Sequence, residues 1–381
     1  MIKLLTVIGA RPQIIKAAAL SREIANSFSV EIEEKILHTG QHYDSNMSGV
    51  FFKELGIPAP DYNLGVGSGS HGVQTARMIE GIENVLQQEH FDGVVLYGDT
   101  NSTLAGAVAA SKLHVPIFHI EAGLRSFNMA MPEEINRIVC DQLSSVLFAP
   151  TRTAVNNLAE EGFGNDKVQF TKGKERLVIN AGDVMYDNSR HFSQFSQNHT
   201  QIVKDLGLTE NDFILSTIHR NNNTDEPERL ESIIKALIHI SETENMTVVL
   251  PLHPRTKKLL PVNLSVATYQ KLISNKYIRI IPPVSFFEII ELEKNARIVM
   301  TDSGGVQKEA FFFEKPCVIL RPETEWVEII DNNAGIIADA DYERIIEAYK
   351  ILSGTKVEFP PLFGDGHAAI KILQTIKDYL S

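Results

Sequence analysis

Short apolar runs typical of buried β-strands alternate with amphipathic helical patterns along nearly the whole chain. The first apolar run, Leu4–Ile8, ends at Gly9 and precedes a helical pattern over Pro12–Asn26. Further apolar runs occupy residues 33–38, 93–97, 116–120, 213–217, 246–250, 278–281, 298–301 and 317–320. Parallel strands need long crossover connections, which helices usually supply. The alternation therefore predicts an α/β fold built on doubly wound parallel sheets.

The length of the chain indicates two domains of this kind. Its 381 residues exceed one average domain, and a polar, Lys-rich segment over 162–176 separates two sets of strands. We therefore expect a first Rossmann-like domain over 1–172, a second over 173–362, and a final helix over 363–381 that packs back on the first. Because ligands bind at the carboxyl ends of the strands in such sheets, the two domains should face a central cleft.

Composition argues against several classes of protein. The formal net charge of −12 disfavours a broad nucleic-acid-binding surface. No uncharged run approaches the roughly 18 residues that span a bilayer, so we expect no membrane partner. The two cysteines, Cys140 and Cys317, stand in apolar surroundings, which predicts buried thiols in a cytoplasmic protein. The sequence has no HExxH, CxxC or P-loop pattern, which argues against a bound metal and P-loop hydrolysis.

The segment Ser303-Gly304-Gly305 follows a predicted strand and precedes a helical pattern over Gln307–Phe313. Glycines allow backbone N–H groups to approach a ligand closely, and a helix N-terminus attracts anions. Glu309, about one turn into the helix, could accept hydrogen bonds from the hydroxyls of a ribose. The alternative is an ordinary glycine-rich turn followed by a solvated Glu309.

Two further strands of the second half end in a His-Arg combination. His219-Arg220 follows one strand, and His253 with Arg255 follows the next. Each histidine alone is commonly structural. Together with the Ser-Gly-Gly turn, these strand ends indicate a diphosphate pocket.

Two cations follow the first strand. Arg11 lies at its carboxyl edge, and Lys16 lies about one turn into the following helix. Both could contact phosphate or a developing negative charge. The alternative is that they are ordinary cations at the start of a helix.

Three carboxylates lie near predicted strand ends of the first half. Asp99 follows the third strand, Glu121 follows the fourth, and Glu133 opens a helix that also carries Arg137. A buried carboxylate next to another has a raised pKa suited to acid/base chemistry. The alternatives are that Asp99 caps the next helix and that Glu133 and Arg137 form a surface ion pair. The cluster favours proton transfer beside a sugar ring.

The ordered set of these motifs resembles the non-hydrolysing UDP-N-acetylglucosamine 2-epimerase family. The resemblance runs almost end to end through Gly9–Pro12, His38–His42, Gly98–Asn101, Glu121–Arg125, Pro132–Arg137, His219–Arg220, His253–Arg255 and Thr301–Gly305.

The resemblance implies a GT-B-like fold of two Rossmann-type domains, a homodimer, and a role in making precursors of cell-surface polysaccharides. It also implies inversion at C2 of a UDP-2-acetamido sugar without an external cofactor. UDP leaves as the C2 proton is removed, which gives a 2-acetamidoglucal, and both return after protonation of the opposite face.

The resemblance also implies residue roles. The acid/base candidates are Asp99, Glu121 and Glu133. The residues that would support phosphate departure or position the sugar are Arg11, Lys16, Arg137 and His219. The residues that would hold the diphosphate and ribose are Ser303, Gly304, Gly305 and Glu309.

Two segments depart from the common family pattern. Asn221–Asn223 stands where many members carry a charged continuation, and Thr324–Glu328 replaces an Arg-Pro-containing form. The second departure, together with Gly9–Gln13, resembles the branch that acts on modified sugars such as UDP-2,3-diacetamido-2,3-dideoxyglucuronate.

Two other functions remain open from the sequence. A GT-B glycosyltransferase would share the fold and the diphosphate pocket, but it would need one catalytic base and an acceptor groove. A catalytically silent nucleotide-sugar sensor would lack an intact proton relay.

Overall fold

Two separate parallel sheets organise the chain, each within its own compact unit. The computed structural model describes residues 1–40, 56–164 and 174–381. The first unit comprises 1–188 together with 361–381, and the second comprises 189–360. The motif residues Gln41 and His42 and the expected boundary at 172/173 lie outside the described residues.

The first unit contains a seven-stranded sheet in the order β3-β2-β1-β4-β5-β6-β7. Its strands are β1 (Ile2–Ile8), β2 (Ile32–His38), β3 (Tyr62–Asn63), β4 (Gly93–Tyr97), β5 (Ile117–Ile120), β6 (Val146–Ala149) and β7 (Leu177–Asn180). All of its strand pairs are parallel, and the central strands β4 and β5 are buried throughout. Continuous apolar runs form these strands because helices cover both faces of such a sheet.

Helices connect the strands of the first unit. They are α1 (Arg11–Glu23) followed by a π-helical turn over Ile24–Phe28, α2 (His71–Gln88), α3 (Asn101–Lys112), α4 (Pro132–Leu143), α5 (Arg152–Glu160), the start of α6 (Val184–Ser193), and the last helix, α17 (Ala368–Leu380). Small residues let α3 lie close to the sheet. A Cβ placed on Gly106 would come within 2.5 Å of a methyl carbon of Leu96 on β4.

The second unit contains a six-stranded parallel sheet in the order β10-β9-β8-β11-β12-β13. Its strands are β8 (Phe213–Thr217), β9 (Thr247–Pro251), β10 (Ile278–Ile281), β11 (Ile298–Thr301), β12 (Cys317–Ile319) and β13 (Gly335–Ile337). Successive residues of a strand, such as Ile214 and Leu215, belong to different hydrophobic clusters. The sheet is therefore buried on both faces, and two doubly wound Rossmann-type sheets confirm the predicted fold class.

Helices of the second unit fall between these strands. They are the end of α6, α7 (Ser196–His199), α8 (Ile202–Asp205), α9 (Asn221–Asp225), α10 (Pro227–Thr243), α11 (Pro254–Asn263), α12 (Val266–Ser274), α13 (Phe286–Asn295), α14 (Gly304–Phe312), α15 (Val327–Asp331) and α16 (Tyr342–Gly354). Within the described residues, no helix is long and apolar enough to cross a membrane.

The two units divide within α6, between Asn188 and Ser189, and not at the expected boundary of 172/173. The reason is strand pairing. β7 lies beyond residue 172, yet it pairs in register with β6 and completes the first sheet. The segment that follows β7 also stays in this unit, since Asp183 N donates to Phe363 O at 2.9 Å.

The C-terminal segment belongs to the first unit, where α17 packs on α1. Asp187 of α6 anchors its start. The two carboxylate oxygens of Asp187 accept from Ala368 N at 3.1 Å and Ala369 N at 2.8 Å. Burial raises the pKa of Asp187 to about 6, although these two backbone hydrogen bonds oppose the shift. One buried side chain thus supplies acceptors for the first N–H groups of the last helix.

We expect Asp187→Ala to loosen the start of α17, because two buried N–H groups lose their acceptor. The loss of a hydrogen bond to a charged group costs about 1.5–3 kcal/mol, so amide exchange at Ala368 and Ala369 should accelerate by at least roughly tenfold. Hydrogen exchange of peptides from this helix measures the effect. Asp378→Ala, which removes an exposed carboxylate bonded to Gln374, is the control and should exchange as the wild type does. Equal protection in the two variants would contradict the anchoring role.

Candidate active site

Both sheets reverse their strand order beside one central pair of strands. The reversal lies between β1 and β4 in the first unit and between β8 and β11 in the second. Connections leave such a pair toward opposite faces, which opens a crevice at the carboxyl ends of the strands. The sequence-predicted residues follow β1, β4 and β5 in the first unit, and β8, β9 and β11 in the second. Each unit therefore gathers one group of them at its own reversal edge.

Glu121 follows β5 and forms an ion pair with Lys16 of α1. Both side chains are largely buried, at 8% and 13% exposure. The pair lies against the backbone of Gly98, where a Cβ would come within 3.0 Å of Glu121 Oε2 and 3.2 Å of Lys16 Nζ. Gly98 also has a left-handed φ of 61°. The position therefore favours glycine, and it brings Glu121 next to the turn that carries Asp99.

Asp99 follows β4 and its Oδ2 accepts a hydrogen bond from Arg137 Nη2. Burial raises the pKa of Asp99 above its usual value. The positive charges of Arg137 and Lys16 oppose this rise, while the negative charges of Glu121 and Glu133 add to it. Asp99 therefore retains its proton to a higher pH than an ordinary aspartate does.

The structure does not support Asp99 as the cap of α3. That position belongs to Thr100, whose Oγ1 accepts from Thr103 N at 3.4 Å. Asn136 of α4 fixes the Asp99 backbone, since its Nδ2 donates to Asp99 O at 2.9 Å. Sequence reasoning did not single out Asn136, although it stands next to Arg137.

Arg137 does not form the surface ion pair with Glu133 that was the alternative interpretation. Arg137 is buried and contacts Asp99 and Glu134, whereas Glu133 is exposed.

Sequence reasoning missed Glu134, which is 1% exposed and accepts from the backbone N–H groups of Ser126 at 2.9 Å and Phe127 at 3.0 Å. Glu134 thereby holds the loop that precedes α4, while Glu133 presents its carboxylate outward near Asp99.

The two cations after β1 differ in environment. Arg11 is exposed at the first residue of α1, whereas Lys16 is inside the cluster with Glu121. Between them lies Gln13, a buried residue for which the sequence predicted no individual role. Its Oε1 accepts from Gly9 N at 2.9 Å, and its Nε2 donates to Tyr97 O at 3.0 Å. Gln13 thus joins the ends of β1 and β4.

Asp302 organises the reversal edge of the second unit. This fully buried residue accepts from the backbone N–H groups of His219 at 3.0 Å and Arg220 at 3.0 Å, and from Asn223 Nδ2 at 3.1 Å. It therefore fixes the turn after β8 beside Ser303. The sequence signal for this role is the position of Asp302 directly before Ser-Gly-Gly.

The two histidines of this edge play different structural parts. Partial desolvation lowers the pKa of His219 although the residue is exposed, and the nearby His253 acts in the same direction against the Asp302 carboxylate. A neutral His219 imidazole is therefore favoured at neutral pH. His253 is exposed and caps α11, because its Nδ1 accepts from Arg255 N at 3.3 Å.

The helix after β11 starts at Gly304, three residues before the predicted start at Gln307, because Ser303 caps it with Oγ accepting from Val306 N at 3.5 Å. The two glycines differ. A Cβ on Gly304 would lie 2.1 Å from Glu325 Oε1, whereas a Cβ on Gly305 would meet nothing closer than Ser303 Oγ at 3.8 Å. Gly304 is thus needed for packing, and Gly305 leaves the helix N-terminus open toward an anion.

Glu309 lies about one turn further along α14 and is partly buried beside Glu293 of α13. Burial and the negative charge of Glu309 raise the pKa of Glu293 well above its usual value. The interpretation of Glu309 as a simply solvated residue therefore does not hold.

The two edges offer different chemistry. The first unit presents Asp99 and Glu121, each paired with a cation, and the exposed Glu133, which are groups that can move protons. The second unit presents a capped helix start with an open glycine and a largely neutral histidine, which can hold an anion. The described parts of the chain contain no group of three or more His, Cys, Asp or Glu side chains arranged to hold a metal ion.

Comparisons with known proteins agree with this architecture. A family model described as UDP-N-acetylglucosamine 2-epimerase matches residues 25–377. A Pseudomonas aeruginosa UDP-2,3-diacetamido-2,3-dideoxy-D-glucuronate 2-epimerase is 48% identical over 374 residues, which cover 98% of each chain.

Solved structures give the same result. The crystal structure of Methanocaldococcus jannaschii UDP-GlcNAc 2-epimerase in complex with UDP-GlcNAc and UDP has a TM-score of 0.84 at 40% identity, over 99% of this chain and 100% of that chain. The Neisseria meningitidis UDP-GlcNAc 2-epimerase bound to UDP-GlcNAc has a TM-score of 0.83 at 27% identity, over 99% of this chain and 100% of that chain. The chain therefore belongs to the UDP-N-acetylglucosamine 2-epimerase family, and it is a nucleotide-sugar 2-epimerase with a GT-B-like fold.

Proposed function

We propose that the enzyme inverts C2 of a UDP-2-acetamido sugar by eliminating UDP and adding it back. The observation that carries the proposal is the pairing of two carboxylates with two cations at one sheet edge: Glu121 with Lys16, and Asp99 with Arg137. This arrangement supplies proton acceptors and donors together with positive charge. A glycosyltransferase, which needs one base, gives no reason for two such pairs.

Proton transfer is assigned to the first unit. A carboxylate removes the C2 proton, the C2–H electron pair forms the C1=C2 bond of a 2-acetamidoglucal, and the C1–O bond electrons leave with UDP. Glu121, paired with Lys16, is available as a carboxylate base. Asp99, with its raised pKa, can hold a proton for the opposite face. Glu133 is the third acid/base candidate, and Arg137 and Arg11 supply positive charge near the developing anion.

UDP binding is assigned to the second unit. The N-terminus of α14 at Ser303, Gly304 and Gly305 would take the diphosphate, because the N–H groups at a helix start and the helix dipole favour anions. Glu309 would accept from the ribose hydroxyls. His219 would donate to the diphosphate, and His253, an exposed helix cap next to it, would line the same edge.

The physiological sugar is proposed to be UDP-2,3-diacetamido-2,3-dideoxyglucuronate. Support comes from the segment Thr324–Glu328, whose Thr324 Oγ1 donates to Gln307 Oε1 at 2.6 Å and whose Trp326 ring lies 4.1 Å from Lys308 Nζ. Both contacts attach the segment to α14, the helix assigned to UDP. The printed name of the Pseudomonas aeruginosa relative supports the same sugar. UDP-N-acetylglucosamine is the alternative substrate.

The proposal includes a cytoplasmic homodimer that supplies precursors of cell-surface polysaccharides. The free cysteines Cys140 and Cys317 are both buried thiols, which supports a reducing compartment.

Incubation of the enzyme with UDP-sugars in deuterated water tests the reaction and the sugar together. We expect the C2 epimer to appear with deuterium at C2, as seen by proton NMR. We also expect a higher kcat/KM for UDP-2,3-diacetamido-2,3-dideoxyglucuronate than for UDP-N-acetylglucosamine. A preference for the plain sugar would overturn the substrate assignment alone, and no exchange with any UDP-2-acetamido sugar would overturn the reaction.

Replacement of either paired carboxylate should remove one proton-transfer group. Positioned acid/base catalysis contributes roughly 10²–10⁴-fold, so Asp99→Asn and Glu121→Gln should each lower kcat by about that factor. UDP affinity, measured by calorimetry, should change little. Asp61→Asn is the control, because Asp61 binds Lys35 and the Ile36 N–H on the same sheet away from the carboxylate pairs. A folded Glu121→Gln enzyme with wild-type turnover would shift the chemistry to Glu133.

Three changes in the second unit should weaken UDP binding. His219→Ala and Glu309→Ala each remove a charge-assisted hydrogen bond of about 1.5–3 kcal/mol, which corresponds to roughly 10–100-fold in Kd. Gly305→Ala should block the phosphate without a clash inside the protein. Gly354→Ala is its matched control, since a Cβ there also meets open space. Unchanged calorimetric affinity in all three variants would remove the second unit from nucleotide recognition.

A further inference from the structure

A fully buried histidine lies directly beneath the turns that carry Asp99 and Glu121. His119, on β5, is 0% exposed and is not one of the residues assigned to the reaction. Its Nδ1 lies 2.7 Å from Asp141 Oδ1, and its Nε2 lies 2.8 Å from Gly98 O. Both ring nitrogens are thus engaged by neighbours on two other elements of the first unit.

The partners of His119 define its protonation. A backbone carbonyl oxygen can only accept, so Nε2 must carry a hydrogen to bond to Gly98 O. The carboxylate of Asp141 also accepts, which requires a hydrogen on Nδ1. The ring is therefore an imidazolium. Burial opposes this charge, but the neighbouring Cys140 sulfur and the Asp141 carboxylate outweigh it and raise the pKa of His119 to about 10.

Asp141 connects His119 to the turn that carries Glu121. Its Oδ2 accepts from Gly123 N at 3.1 Å and from Arg125 Nη2 at 2.8 Å. Burial alone would raise the pKa of Asp141, but His119 and Arg125 hold it below its usual value. Arg125 in turn binds Glu161 with its Nε at 2.6 Å, so positive and negative charges alternate through the network.

The endpoints of this network are the two turns that matter for proton transfer. Gly98 immediately precedes Asp99, and Gly123 lies two residues after Glu121, which itself has a left-handed φ of 72°. A non-glycine residue adopts this conformation only when its surroundings enforce it. Asp141 also lies on α4, the helix that carries Glu133 and Arg137.

We propose that His119 and Asp141 form a buried positioning pair that fixes the Asp99 turn relative to the Glu121 turn. The pair acts on proton transfer through the backbone of Gly98 and Gly123 and does not touch the substrate. The inference rests on the proposed function, because it concerns the spacing of the acid/base groups that this function uses.

The first test uses the wild-type enzyme. An ordinary histidine loses its proton near pH 6.5, so few imidazolium rings should remain at pH 8. In protein labelled with ¹⁵N-histidine, we expect a doubly protonated ring that persists at pH 8 and disappears from the spectrum of His119→Gln or, if that variant does not fold, of Asp141→Asn. A wild-type spectrum without such a ring at pH 8 would overturn the inference, and this measurement needs no active variant.

The second test separates positioning from folding. Misplacement of a catalytic group by about 1 Å can cost roughly 10²-fold, so Asp141→Asn and the double variant His119→Gln/Asp141→Asn should lower kcat by about that factor and leave KM and UDP affinity near wild type. Glu34→Gln is the control, because Glu34 is a partly buried carboxylate of the same sheet bonded to Thr6 and Ser21 at 2.6 Å each. It should lose stability but keep its kcat.

The outcomes distinguish the two proposals. Wild-type protein that neither epimerises nor exchanges C2 would refute the proposed function, whatever the histidine spectrum shows. Active wild type with an unchanged kcat in a folded Asp141→Asn enzyme would refute the positioning pair alone. The positioning pair would also be refuted if Glu34→Gln lowers kcat as well, and if the loss of kcat in each variant is proportional to its loss of stability.

Discussion

The close approach of Gly98 to the ion pair of Glu121 and Lys16 is the contact on which the first site depends. It joins the ends of two adjacent strands without a side chain between them, so the turns after β4 and β5 come together. The left-handed backbone of Glu121 costs about 1 kcal/mol or more. Hydrogen bonds from Glu121 N and Ala122 N to Phe148 O, at 3.1 Å each, offset part of that cost.

In the second unit, neighbouring strand ends at the reversal edge are held together by a different kind of interaction. At its reversal edge one buried carboxylate, Asp302, gathers backbone N–H groups from the neighbouring strand end, and the hydroxyls of Thr217 and Thr301 meet at 2.6 Å. The first edge uses side-chain ion pairs and keeps several charges where a reaction can use them. At the second edge the buried Asp302 carboxylate is used to bind backbone N–H groups of the protein itself. The start of α14 and the exposed His219 remain on the surface of this edge. This difference supports the proposed assignment of proton transfer to the first edge and of UDP binding to the second.

Sequence patterns were sufficient for the fold and for placing the candidate acid/base residues at one edge of the first sheet. Parallel strands end on a common edge, so residues after β4 and β5 had to meet, and Asp99 and Glu121 were recognisable. No role was predicted for Gln13, Asn136 and Asp302, because each hydrogen-bonds to the backbone of a segment distant in sequence, and no local pattern records such a partner. Glu134 was also missed, although its partners lie in the loop just before its own helix. The unit boundary was misjudged for a similar reason, since membership of β7 in the first sheet is decided by pairing with β6.

The single tryptophan of the chain has an optical consequence. Trp326 is 3% exposed, and the ammonium group of Lys308 lies 4.1 Å from its ring centroid. Lys308 belongs to α14, the helix whose N-terminus is proposed to bind the diphosphate. A nearby positive charge shifts the energy of the excited indole, so the intrinsic emission should respond to events at that helix without any added dye. Since the first unit has no tryptophan, the same signal reports the second unit alone.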